Sequence, residues 1–122
     1  MIQVKRMYEL PSEDDGERYL VERLWPRGVG REVAGLAGWL KELAPSHDLR
    51  QWFSHDPQRW EEFQQWYETE LKTLNKQAAL QELAEKAQRG KVTLVFAARD
   101  AQHNSAMALK AFIESRYLCG LG

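Results

Sequence analysis

The stretch that most constrains the fold is Lys91-Val92-Thr93-Leu94-Val95-Phe96-Ala97-Ala98, an almost unbroken run of apolar, β-branched and aromatic residues. A strand with one wet face alternates polar and apolar residues. A strand without that alternation is buried on both faces, as in a parallel sheet. The run therefore points to an α/β architecture, and the other segments are read against it.

Two further strands are expected. Ile2-Gln3-Val4-Lys5-Arg6-Met7 alternates strictly, and the polar cluster Pro11–Gly16 closes it. Within that cluster Glu13-Asp14-Asp15 reads as a solvated loop rather than a metal cluster. The second strand spans roughly residues 18–24. Pro26 cannot donate to a ladder and biases Trp25 toward extended backbone, so the strand ends near Trp25, and Gly28 lets the chain turn. Val33, Leu36, Leu40 and Leu43, with Trp39 beside them, predict a helix over 31–43 ended by Pro45. A short helical segment, Leu49–Phe53, follows. Asp56 as N-cap and Pro57 at the first helical position start a helix whose face is Trp60, Phe63, Tyr67, Leu71 and Leu74. Ala78, Leu80, Leu83, Ala84 and Ala87 mark another, stopping at Gly90. Asp100 is the expected N-cap of a last helix over 101–117, with Ala106, Leu109, Ile113 and Tyr117 in register. The result is a single α/β domain over residues 1–122, with a small, mainly parallel sheet flanked by helices and a loosely ordered tail from about 118. Strand order is not legible at this stage.

Charge narrows the function. Seventeen basic against eighteen acidic residues give a net charge of −1, so nucleic acid is a disfavoured partner except at a local basic patch. Cys119 is the single cysteine; it rules out an intrachain disulfide, fits a reducing cytosol and is poorly placed for a nucleophile. There is no signal-peptide h-region and no apolar run long enough to span a bilayer, so a cytoplasmic protein without membrane partners is expected. The mean hydropathy of −0.61 agrees. The five tryptophans read chiefly as core and helix-packing residues, with the alternative that one or two line a pocket.

In a parallel sheet the strand ends share one edge, and open α/β folds place ligands there. The second strand ends in Arg23-Leu24-Trp25-Pro26-Arg27, the third in Ala97-Ala98-Arg99-Asp100, followed by His103 and Asn104 in the first turns of the last helix. Arginine forks near a helix start favour an anion. Arg23, Arg27, Trp25 and Asn104 are the expected ligand-binding residues at this edge, with Arg23 or Arg27 sharing a pocket with Asp100, His103 or Asn104. The structural alternatives are that the arginines pair with acidic residues and that Asp100 only caps. His103 and His55 are candidate general acids or bases because imidazole titrates near neutral pH; Asp100 is the third catalytic candidate. His47, His55 and His103 match no metal motif, and no dinucleotide, Walker or Gly-x-Ser-x-Gly signature occurs, so neither a metal nor a cofactor is expected. The face Trp52, Trp60, Phe63 and Tyr67 reads as core rather than as a base-stacking platform.

The blocks Val-Glu-Arg-Leu-Trp-Pro-Arg-Gly (21–28), Trp-Leu-Lys-Glu-Leu-Ala-Pro-Ser (39–46), Leu-Arg-Gln-Trp-Phe-Ser-His-Asp (49–56) and Leu-Val-Phe-Ala-Ala-Arg-Asp-x-x-His-Asn (94–104) resemble the YeaO-like branch of domain-of-unknown-function family 488. The resemblance runs to about residue 115 and implies a small bacterial cytoplasmic protein. Its polar pattern falls on Arg23, Arg27, Arg50, His55, Asp100, His103 and Asn104, and so adds Arg50 to the expected ligand-binding residues. Longer relatives carry a Cys and a Glu at the last strand's end and a Cys-His-Arg triplet at the helix opening. Here the strand ends Phe96-Ala97-Ala98 and the helix opens without cysteine, so thiol chemistry does not carry over. The expected function is binding of a small phosphate- or carboxylate-bearing ligand at the carboxyl edge, with catalysis left open. The alternative is a non-enzymatic binding or regulatory module that uses the tryptophan-rich middle, with Arg50 and Arg59, to engage a protein or single-stranded nucleic acid. Oligomeric state is not legible.

Overall fold

The computed structural model describes residues 1–30 and 35–118. The strands are β1 (Ile2–Arg6), β2 (Glu17–Leu20), β3 (Gly38–Trp39) and β4 (Val92–Phe96); the α-helices are α1 (His47–Phe53), α2 (Trp60–Leu71), α3 (Gln77–Arg89) and α4 (Ser105–Arg116). The sheet is wholly parallel in the order β1-β4-β2-β3. β4 lies between β1 and β2, pairing Val4 with Leu94 and Tyr19 with Leu94, and all five of its residues are buried. That is the environment its unbroken apolar run calls for.

The period-2 alternation of strands separates two cores. Tyr19, Val21, Val92, Leu94 and Phe96 join the main cluster, which takes members from all four α-helices, including Leu49, Phe63, Leu83 and Leu109. Leu20, Val95 and Met7 face the other way, packed by Trp25, Val29, Leu36 and Trp39, none of them helical. Phe63 and Tyr67 are buried while Trp52 and Trp60 pack partly buried against the main core. The Tyr67 hydroxyl donates to the Leu43 carbonyl, tying α2 to the loop before α1.

Several segments differ from expectation. Of the helix expected over 31–43, residues 31–34 lie outside the described residues. The remainder forms β3 and a 3-10 turn, Lys41–Leu43. Gly35 sits at φ 61°, and a Cβ at Gly38 would meet the Tyr19 ring at 3.2 Å. Glycines cost a helix about 1 kcal/mol each, whereas the β2 edge offers this backbone partners: Ala37 N–H to Arg18 O at 2.7 Å and Leu40 N–H to Leu20 O at 2.8 Å. The helical spacing of Leu36 and Leu40 instead serves two different cores.

β2 stops at Leu20 rather than near Trp25. Val21 N–H still reaches Val95 O at 3.0 Å, but the next β4-side donor, Ala97 N–H, is taken by the Glu22 side chain at 3.2 Å. The acidic run also divides. Glu13 and Asp14 are exposed, but Asp15 is buried as the counter-ion of Arg18 (2.7 Å) and Lys5 (2.8 Å). Buried Arg18 requires an anion there. The expected tail from 118 falls, apart from Leu118, outside the described residues.

Candidate functional site

The carboxyl ends of β2 and β4 open into a cavity of about 410 Å³, walled by the start of α4 and by α1. Its floor is Ala97 and Ala98; Phe53, Phe63, Pro45 and Leu24 supply apolar wall, and Glu22, Arg50, His47, His55, His103 and Asn104 are among the polar lining groups.

Each polar group is placed by local chemistry. Ser46 caps α1, its hydroxyl accepting from Leu49 N–H at 3.2 Å, and Glu70 holds Ser46 in turn through its backbone N–H at 2.9 Å. α1 thereby presents Arg50, half-buried, to the cavity. Its guanidinium makes no hydrogen bond or ion pair to any described residue. α1 ends in Ser54 and His55 at φ 48° and 55°. Left-handed backbone is costly for non-glycine residues and concentrates at functional sites; here it turns His55 into the cavity wall.

Past β2, Glu22 is fixed by accepting Ala97 N–H through Oε1, while its carbonyl accepts from Trp39 Nε1 at 2.6 Å. Its Oε2 has no partner among the described residues. Burial pushes the Glu22 carboxyl above its ordinary pKa, opposed by the Ala97 hydrogen bond and the charges of Arg50 and His55.

Asp100 is not the cap of the last helix. Asn104 is: its side chain accepts from Met107 N–H at 2.9 Å and its amide donates to Asp100 O at 2.9 Å. Residues 101–104 carry no apolar stripe to bury, so the helix waits until Ser105. Asp100 instead accepts from Gln102 N–H (2.9 Å) and His103 N–H (3.0 Å) and meets His103 Nδ1 at 2.8 Å. These bonds, the Gln102 amide first and then the imidazole, hold the Asp100 carboxyl below its ordinary pKa. An ionised carboxylate only accepts, so Nδ1 carries a proton in this contact. His103 precedes the helix rather than sitting in its first turn, and its ring meets Trp60 edge-on at 5.2 Å. Ser105 Oγ donates to Val21 O at 3.1 Å, joining the helix start to the end of β2.

Of the residues singled out from sequence, Arg50, His55, His103 and Asn104 line this cavity, with Asp100 behind His103. Arg23, Trp25 and Arg27 are not among its lining residues. Past the early end of β2, Trp25 lies on the other face of the sheet, where it packs edge-on to Trp39 at 5.4 Å. Arg23 Nε donates to Pro45 O at 3.1 Å and so braces the cavity wall, and Arg27 is exposed. The expected pocket shared by Arg23 or Arg27 with the last helix start is therefore not formed; Arg50 is the arginine at the cavity. Sequence reasoning missed Glu22, His47 and Ser105. Glu22 had one signal, a lone carboxylate beside the end of a strand, obscured because that end was expected near Trp25 and falls at Leu20. All three histidines line the cavity, yet no three His, Cys, Asp or Glu side chains among the described residues are grouped to hold a metal ion. Among the described residues no helix is long and apolar enough to cross a membrane.

Fold and cavity together define a small parallel α/β protein with a polar, histidine-lined cleft at the carboxyl edge of its sheet. The chain belongs to the DUF488 family: the family profile DUF488-N3i, described as the inactive DUF488-N3 subclade, matches residues 1–119. It is 38% identical over 115 residues to uncharacterised proteins of Mycobacterium tuberculosis and Mycobacterium bovis, covering 94% of this chain and 95% of theirs. It is 34% identical over 114 residues to the uncharacterised Escherichia coli protein YeaO, covering 93% of this chain and 97% of that one. No solved structure is similar enough to match.

Proposed function

We propose that this chain is a cytoplasmic protein that binds a small anionic molecule, carboxylate- or phosphate-bearing, in the carboxyl-edge cavity, with Arg50 as its anion-binding group. The observation that carries this reading is the Arg50 guanidinium, half-buried on the cavity wall with no hydrogen bond or ion pair to any described residue. A guanidinium fork that faces the cavity and is engaged by no carboxylate is available to an anionic ligand. The Asn104 side chain and the imidazoles of His55 and His103 are further polar contacts, and Phe53 and Phe63 would cover the apolar part of the ligand. The subclade's description as inactive favours binding over turnover. His103, held by Asp100, is the candidate centre for proton transfer.

The test is calorimetric titration with inorganic phosphate and with 3-phenylpropionate, a carboxylate on an apolar stem. Arg50→Gln should weaken binding by about 1.5–3 kcal/mol, the range for a hydrogen bond to a charged group. Unchanged affinity in the variant, or no binding by the wild type, overturns the reading.

A second reading is favoured by one observation. Trp66 is 39% exposed and lies 5.7 Å from Trp52, over which Arg59 stacks at 5.3 Å. That aromatic patch suits a protein or single-stranded nucleic acid. Quenching of tryptophan fluorescence by a thymidine oligonucleotide, lost in Trp66→Ala, would support it.

A further inference from the structure

We infer that the cavity's ligand is a zwitterion, specifically an α-amino acid with an apolar side chain, its carboxylate on Arg50 and its ammonium on Glu22. This rests on the anionic-ligand reading of the same cavity and narrows it to one class.

The argument begins with a pair of opposite charges that do not meet. Arg50 comes from α1 and Glu22 from the end of β2. Both line the cavity and the charge of Arg50 acts on the Glu22 carboxyl, yet no ion pair joins them among the described residues. Cavities built for a simple anion are lined by donors and cations. Here a carboxyl group shares the space, and in a low-dielectric cleft an incoming carboxylate or phosphate would be repelled by it. A ligand that brings its own cation turns that repulsion into attraction.

Glu22 is arranged for such a cation. Its Oε1 is held by Ala97 N–H, which fixes the carboxyl without neutralising it, and Oε2 is left without a described partner. Burial works against the ionised form, a cost that a bound ammonium would relieve. The apolar walls, Phe53, Phe63 and Leu24, would receive the side chain. The volume, about 410 Å³, lies toward the small end of the roughly 300–1,000 Å³ typical of small-molecule sites.

The experiment compares amino acids with analogues lacking one charge, by calorimetry on the intact protein: phenylalanine against 3-phenylpropionate and phenethylamine, and leucine against 4-methylpentanoate. One amino acid should bind about tenfold or more tighter than its des-amino analogue, as a charge-assisted contact implies. Glu22→Gln should erase that preference while leaving the analogue's affinity equal or improved. Equal binding of the amino acid and its analogue by the wild type overturns the zwitterion and leaves the anion reading standing. A preference that survives in Glu22→Gln overturns the assignment to Glu22. Binding of phenethylamine alone, or of none of the five probes, overturns the zwitterion, and overturns the anion reading with it when inorganic phosphate also fails to bind. The wild-type comparison decides the question even if the variant fails to fold.

Discussion

Replacing Asp15 by Asn should cost about 2 kcal/mol at pH 7 and progressively less in acid. The carboxylate is 1% exposed and meets Lys5 Nζ at 2.8 Å, Arg18 Nη1 at 2.7 Å and the Ser12 N–H at 3.0 Å. Burial alone would raise its pKa; the bonds from Lys5, Arg18 and Ser12 together outweigh it and hold the group at about 2 against an ordinary 3.8. At about 1.4 kcal/mol per tenfold change in proton affinity, the full displacement is worth roughly 2–3 kcal/mol. Solvent screening at Lys5, 26% exposed, trims it to about 2. The folded pKa lies below the unfolded one, so the stabilisation is complete above about pH 4 and is lost as pH falls through 2. About half should remain at pH 3, and a few tenths of a kcal/mol at pH 2. Asparagine keeps an acceptor for Ser12 and Arg18 but turns a donor toward Lys5, so the pH dependence of the gap, rather than its size, isolates the charge. Urea unfolding followed by tryptophan fluorescence, on both proteins between pH 7 and pH 2.5, gives the difference directly. A stability gap that stays constant across that range would refute the reasoning, because it would show that the charge of Asp15 contributes nothing.

Two other substitutions probe the backbone around the sheet and the cavity. Gly16 sits at φ 62°, ψ −142°, and a Cβ there would lie 2.0 Å from Lys91 O, so Gly16→Ala should destabilise by about 3 kcal/mol or more; a loss under about 1 kcal/mol in chemical denaturation would contradict the close approach. Asn104→Ala removes the cap of α4 and the bond to Asp100 O, and should lower stability by about 1–2 kcal/mol while weakening anion binding through loss of the ordered His103 loop; thermal unfolding and titration with 3-phenylpropionate check the two effects separately.

What the sequence revealed depended on whether the deciding force was local. β4 was legible because burial on both faces removes alternation from its residues. Asp56 and Pro57 mark a helix start by their own chemistry: Asp56 does accept from Gln58 N–H at 3.0 Å, with α2 following. Residues 35–43 misled because their apolar spacing fits a helix, while their actual state is set by an unpaired edge of β2 distant in sequence. Asp100 and Asn104 are both good caps, and the choice between them turns on where the buried face of α4 begins. At the site, Arg50, His55, His103 and Asn104 were reachable through the resemblance, which carries the outcome of tertiary packing. Glu22 was hidden because its role depends on where β2 leaves the ladder, and that is fixed by its own bond to Ala97. The same early exit carries Arg27 away from the cavity.

The position of β4 in the sheet also governs how the nascent chain can acquire its structure. β1 pairs only with β4, and β2 joins the sheet's centre only through β4. While a ribosome is still synthesising α2 and α3, β1 therefore has no partner strand, and the β2–β3 pair keeps one edge open. Closing the sheet means bringing residue 2 beside residue 92, a long loop closure that slows folding. Until then the apolar side chains of β1 and β2 are exposed beside unpaired strand edges, the condition in which chains associate with one another. Speed of release past residue 96, rather than the strength of any finished contact, is then what separates a folded molecule from an aggregate during synthesis.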